Sequence, residues 1–216
     1  MKIILDQSEY WDSVANEKTF NHLIDWDFLQ KHIESTSKIL DFGCGYGRLS
    51  NEFYHNGFHN IIGVDNSKRM IDRAKQLNSQ VNFMHLSLPS LPFENNTFDL
   101  ICLFAVLTCV PIEQDQQTLI SELKRVLRPN GILYVSDLLL NEDERNLKRY
   151  NAYGSGPYGV FELPEGGVFR HHSEEYLENQ LMSFFNILYR RSFTIETMNK
   201  NQSKAIQLVG EQISNK

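Results

Sequence analysis

The chain has 216 residues, 41% of them hydrophobic and 22% charged, which is the balance of one globular domain with a full core. No apolar run approaches the roughly 20 residues that cross a bilayer. The start, MKIILDQSEYW, has neither an apolar signal region nor a small-residue cleavage site, so the reading is a cytoplasmic protein. A net charge of −6 withholds the electrostatic footprint expected of a nucleic-acid binder.

In chain order, Ser8 to about Ile33 carries apolar residues at helical spacing (Trp11, Val14, Ala15, Phe20, Leu23, Ile24, Leu29), which predicts a helical cover. Lys38 to Phe42 reads as a short buried strand running into Gly43-Cys44-Gly45-Tyr46-Gly47, followed by a helix from Arg48 to Asn56 that Gly57 stops. Asn60 to Val64 is a second strand, ended by Asp65. Ser67 then stands where it caps a helix to about Leu77. Val81 to Leu86 is a third strand, and Pro89, Pro92 and Asn95-Asn96 mark the loop after it. Phe98 to Phe104 is almost wholly apolar, as a strand buried on both faces should be. A helix from about Glu113 to Leu127 ends at Arg128-Pro129-Asn130-Gly131, and Ile132 to Asp137 is a fifth strand.

After Leu140 the pattern changes. Residues 141–149 read as a charged helix, 150–172 are rich in glycine and aromatics without clear periodicity, and Ser173 to about Phe185 is helical again. Asn186 to Thr197 and Lys204 to Gln212 alternate like two closing strands. Strands alternating with helices predict βαβ units. Right-handed crossovers then give an α/β, Rossmann-like, doubly wound seven-stranded sheet, mostly parallel with an antiparallel C-terminal pair.

The sharpest signal is Ile39-Leu40-Asp41-Phe42-Gly43-Cys44-Gly45-Tyr46-Gly47. A strand that turns sharply into a helix needs residues without a Cβ, and they also let a ligand approach the backbone. The spacing is GxGxG, with Arg48 where a dinucleotide fingerprint has its third glycine. Asp41, two residues before the first glycine, would repel a pyrophosphate and attract an ammonium group. Such an acid alone is more often a helix-capping or solvated residue, but Asp65 follows the loop at the spacing of a ribose-binding acid, which marks it as a ligand.

The stretches ILDFGCGYGRL, IIGVDNSKRMIDRAK, LPFENNTFDLICLFAVL and ELKRVLRPNGILYVSDLLL resemble, in order and spacing, the class I S-adenosylmethionine-dependent methyltransferases, in particular their type 11 group. The likeness runs from about Ile39 to Leu140. It implies S-adenosyl-L-methionine as cofactor, with Gly43, Cys44, Gly45 and Gly47 against its methionine part and Asp41 near its amino group. It further implies Asp65 on the ribose, Asn66 and Met70 beside the adenine, Leu88 meeting the adenine edge through its N–H, and Phe104 facing the cofactor. Many relatives carry an aspartate after the third strand to accept from the adenine amino group; here that position is Ser87. On this reading one domain comprises a helical cover (8–34), a cofactor-binding core (39–140), a lid or substrate insertion (141–172), and a closing helix with two edge strands (173–212).

A sulfonium methyl is already activated, so alignment of the acceptor does most of the work and a base is needed only when the acceptor must lose a proton. Candidates fall in the insertion. His171 or His172 would act as base and Arg170 would hold a carboxylate or phosphate, against the plainer reading of residues that precede a helix at Ser173. Arg149, Tyr150, Tyr153, Tyr158 and Glu162 join them as substrate or lid residues, with Tyr10 and Phe20 covering from the N-terminal side. The adjacent histidines lack a third ligand at metal spacing, so no metal is expected. Cys44, Cys102 and Cys109 form no CxxC pair and read as reduced structural thiols. The chain lacks the Asn/Asp-Pro-Pro-aromatic motif of base-amino methylation and the Pro-Cys pair of cytosine-carbon methylation. The expectation is therefore a small-molecule methyl acceptor, no membrane, no nucleic acid, and a monomer or homodimer. The alternatives are a cofactor-binding regulatory or scaffold protein without turnover, and an NAD-dependent oxidoreductase, which the missing GxGxxG disfavours.

Overall fold

In the computed structural model, which describes residues 6–86, 90–154 and 156–213, the core is a seven-stranded sheet in the order β3-β2-β1-β4-β5-β9-β8. The strands β1 (Ile39–Phe42), β2 (Ile61–Asp65), β3 (Asn82–His85), β4 (Phe98–Phe104) and β5 (Leu127–Leu138) are parallel. β9 (Gln202–Gln212) runs antiparallel to both β5 and β8 (Phe185–Glu196). Strand order reverses between β1 and β4, and the carboxyl ends of parallel strands at such a switch point leave a crevice for a ligand.

The sheet is apolar on both faces because helices cover both. On one side α5 (Glu113–Val126) and α7 (Glu174–Met182) pack Leu119, Leu123, Leu177 and Leu181 onto Leu40, Leu103 and Val135. On the other, α2 (Trp26–Leu29), α3 (Arg48–His55) and α4 (Lys68–Leu77) bring Leu29, Phe53 and Ala74 to Ile39, Ile61 and Tyr134. Serine and aspartate caps start several of these helices: Ser67 Oγ accepts from Met70 N, Asp143 from Asn146 N at the head of α6 (Glu144–Tyr153), and Ser173 from Tyr176 N. No helix among the described residues is long and apolar enough to cross a membrane.

Two segments differ from the sequence reading. The helical stripe of 8–33 breaks into α1 (Ser8–Val14) and the short α2, with 15–25 largely irregular between them. Backbone groups in this stretch are taken by distant side chains: Phe20 N–H donates to Tyr46 Oη, the His22 carbonyl accepts from Arg48, and the Leu23 carbonyl accepts from Gln207. Leu23, which the stripe would bury, is 67% exposed. Tertiary bonds override the helical period here.

The glycine-rich segment 150–172 holds a two-stranded antiparallel hairpin, β6 (Val160–Glu162) and β7 (Val168–Arg170). Gln7 clamps it to the rest of the fold, accepting from Val168 N–H and donating to the carbonyls of Val168 and Cys109. A third apolar cluster (Tyr10, Val14, Tyr150, Phe161, Phe169) joins α1, α6 and the hairpin.

Candidate active site

The β1–α3 loop is folded around positive backbone angles. Gly43 and Gly45 have φ of +69° and +54°, a region L side chains rarely adopt. A Cβ on Gly43 would stand 2.5 Å from Val106, and one on Gly45 would stand 2.4 Å from Phe20. Glycine at both keeps the loop thin beneath the crevice. The N–H groups of Gly43 and Cys44 both donate to the Val64 carbonyl (2.8 and 3.0 Å), which pins the loop to the end of β2.

Two carboxylates anchor this loop. Asp65 Oδ2 accepts from Gly45 N–H at 2.8 Å and Oδ1 from Ser67 N–H at 2.8 Å. Asp41 Oδ2 accepts from both the amide (3.0 Å) and the hydroxyl (2.6 Å) of Ser50 in the first turn of α3. Burial pushes Asp41 up to about 6 and raises Asp65 as well, against the hydrogen bonds that favour their charged forms. A carboxylate oxygen has two lone pairs, so Asp65 retains acceptor capacity for hydroxyls.

Asp41, Gly43, Cys44, Gly45, Asp65, Asn66, Met70 and Phe104 line one cavity together with Phe20 and His171. Gly47 is set back as the N-cap of α3, in the left-handed region. Ser87 and Leu88 lie outside the described residues. Ala105, next to Phe104 at the end of β4, holds φ of +55°, an uncommon conformation for alanine at the cavity wall.

The cavity continues past β4 and β5 under α6 and the hairpin, to Trp11, Val110, Arg149, Phe161, Phe169 and His171. His171 is 2% exposed. Its Nδ1 lies 2.7 Å from Tyr150 Oη and its Nε2 lies 3.4 Å from an Arg149 Nη. Arginine is a donor only, so Nε2 bears the lone pair and Nδ1–H donates to the tyrosine. The Tyr150 hydroxyl in turn donates to Asn146 Oδ1 and accepts from Asn141 N–H, both at 3.4 Å. Burial, then the Arg149 charge, hold His171 well below the usual imidazole range, so it is neutral.

Arg170 and His172, expected beside His171, do not reach the cavity. Successive residues of extended chain point to opposite sides, so 169 and 171 face the cavity while 170 and 172 face α5 and α7. His172 stacks on Tyr176 at 5.4 Å and accepts from Gln116 Nε2 at 2.8 Å. Arg170 lies over the same Tyr176 ring and donates to its hydroxyl at 3.2 Å. Both are interior packing groups. Of the other insertion residues, Tyr150 stands behind His171, Tyr153 is half-buried away from the cavity, and Tyr158 and Glu162 are exposed. Tyr10 is buried against Phe169 and Gly167 rather than facing the cavity, whereas its neighbour Trp11 does face it. Among the described residues no three His, Cys, Asp or Glu side chains stand together as metal ligands.

Three sets of cavity residues escaped sequence reasoning. Phe161 and Phe169 carried a readable signal, two alternating triplets flanking Gly166-Gly167. Arg145 shares the helix face of Arg149, four residues on. Glu196 to Asn201, the β8–β9 turn, closes one rim of the cavity and has no local sequence mark.

These features fit an amino-acid-bearing nucleoside: a thin glycine floor that any Cβ would fill, an acid at the end of β2 for sugar hydroxyls, and apolar Met70 beside them. A family model described as a methyltransferase domain matches residues 40–135. An uncharacterized methyltransferase of Schizosaccharomyces pombe is 29% identical over 158 residues, 60% of this chain and 54% of the relative, so the chain spans about half of that protein's length. A ubiquinone biosynthesis O-methyltransferase of Coxiella burnetii is 30% identical over 170 residues, 74% of this chain and 69% of the relative. A solved SAM-dependent methyltransferase of Methanosarcina mazei superposes with a TM-score of 0.83 at 25% identity, covering 90% of this chain and 100% of that one. Fold, site and relatives agree: the chain belongs to the class I S-adenosylmethionine-dependent methyltransferases.

Proposed function

We propose that the chain transfers a methyl group from S-adenosyl-L-methionine to a small-molecule acceptor held under α6 and the β6–β7 hairpin. The observation that carries this reading is the continuity of one cavity from the glycine loop and Asp65 to His171 and the aromatic walls of the insertion. When bound, the cofactor supplies a methyl group already activated on sulfur. The loop at 43–45 and Asp65 orient the donor half, and Asn66 and Met70 flank its base. Trp11, Phe161 and Phe169 exclude water and hold the acceptor in line, which is where most of the rate gain lies. His171 Nε2, kept free of a proton, takes one from an acceptor hydroxyl or amine, and Tyr150 fixes the tautomer through Nδ1.

The test is an extract of small metabolites and macromolecules incubated with the protein and methyl-labelled cofactor, then dialysed. Label in the dialysable fraction is the expected result; label retained only on protein or nucleic acid would overturn the small-molecule reading, and no label at all would favour a binding role without turnover.

A further inference from the structure

We propose that the acceptor carries an anionic group, a carboxylate or a phosphate, on a flat apolar body, and that Arg149 is its anchor. This deepens the methyltransferase reading and rests on it.

Arg149 lies in the second turn of α6, over the Phe161 ring with Cζ 3.4 Å from the centroid. Its Nε is buried with no hydrogen-bond partner, and one Nη lies 3.4 Å from the His171 ring nitrogen. Among the described residues no carboxylate comes within ion-pair distance of it, whereas Arg125 and Arg128 each have one and Arg190 has two. A half-buried guanidinium keeps its charge, and leaving its donors unspent is costly. An anion entering the cavity would satisfy them.

The charges around the cavity point the same way. Its arginines are Arg48, Arg145 and Arg149, and its carboxylates are Asp41, Asp65 and Glu196. Arg48 is paired with the Glu52 carboxylate and donates to the His22 carbonyl, so its charge is matched although its Nε has no partner. Asp41 and Asp65 stand at the donor end of the cavity, bonded to α3 and the glycine loop. Glu196 is exposed on the opposite rim. Arg145 faces Asp143 only loosely, at 3.7 Å. The acceptor half therefore holds positive charge without a matching acid. A guanidinium fork suits a planar carboxylate or a phosphate, while Phe169, Leu163 and Trp11 supply apolar surface beside it. Binding there also serves the chemistry: an anion on Arg149 offsets the cation that depresses His171 and makes its Nε2 a better base.

The experiment uses the whole protein saturated with S-adenosylhomocysteine and three matched probes, benzoate, phenyl phosphate and benzamide, followed by saturation-transfer NMR and calorimetry. Benzoate or phenyl phosphate should bind about tenfold or more tightly than benzamide, the ratio one charge-assisted hydrogen bond supplies. Which of the two anions binds better identifies the group. Arg149→Gln should erase the preference and Arg149→Lys should keep part of it, with S-adenosylhomocysteine affinity and thermal melting unchanged in both. Equal binding of benzamide, no binding of either anion, or a preference that survives Arg149→Gln would overturn the anchor. Failure of wild-type protein to bind S-adenosylhomocysteine would instead count against the methyltransferase reading itself.

Discussion

Asp65 Oδ2 accepts the Gly45 N–H at 2.8 Å, so the acid at the end of β2 holds the bend of the glycine loop as well as standing beside the cavity. Substitution there should damage the loop and, on the function proposed above, the contact with the cofactor's sugar. Asp65→Ala is expected to weaken S-adenosylhomocysteine binding by about a hundredfold or more, because each hydrogen bond to a charged group is worth roughly 1.5–3 kcal/mol. Calorimetry reads this directly. Asp65→Asn should fall between the two, since its amide nitrogen would face one of the two backbone N–H donors that the carboxylate now accepts from.

Gly45 is constrained twice, by φ of +54° and by Phe20 directly above it. Gly45→Val should abolish cofactor binding while far-UV circular dichroism stays near wild type. Phe20→Ala removes the steric conflict but not the backbone strain, about 1–2 kcal/mol for a left-handed L residue. The double substitution Gly45→Ala with Phe20→Ala should therefore recover only part of the affinity lost in Gly45→Ala. Full recovery would show that the aromatic ring, not the backbone, dictates glycine at this position.

The parallel core and the glycine loop were legible because each local signal agreed with the global arrangement: apolar runs, a GxGxG bend, and an acid at ribose spacing. The N-terminal cover was not, because the segment after α1 follows long-range bonds to Tyr46, Arg48 and Gln207, which no periodicity encodes. The run Arg170-His171-His172 was legible as a chemical cluster but not as a geometry. Recognising β7 as a strand would have set His171 apart from its two neighbours by alternation alone.

His171 is tied to Tyr150 at 2.7 Å and kept neutral by burial and by Arg149. His171→Gln should lower kcat by about a hundredfold, the lower end for removal of a general base, with S-adenosylhomocysteine affinity unchanged. Tyr150→Phe removes only the group that fixes the tautomer, so its loss should be smaller. In wild type, kcat/KM should show no imidazole limb near pH 6.5, because the base is already unprotonated well below it. Unchanged turnover in His171→Gln on a true acceptor would leave the residue a packing group.

His172 gives the clearest test of stability against pH. It is 1% exposed, its Nε2 accepts from Gln116, and its Nδ1 is buried without a partner. Burial, then the charge of Arg170, lower it from 6.5 to about 3. The unfolded chain thus takes up a proton near pH 6.5 that the folded chain refuses until about pH 3. The stability this group contributes is present above pH 6.5 and is lost as pH falls through that window. His172→Phe keeps the stack on Tyr176 and cannot titrate. Urea unfolding of both proteins between pH 7 and 4 should therefore show the variant gaining on wild type by about 1.4 kcal/mol per pH unit once below the imidazole range, one proton's worth. A constant difference across that range would mean that His172 carries its proton in the folded state, and that Gln116 is not its donor.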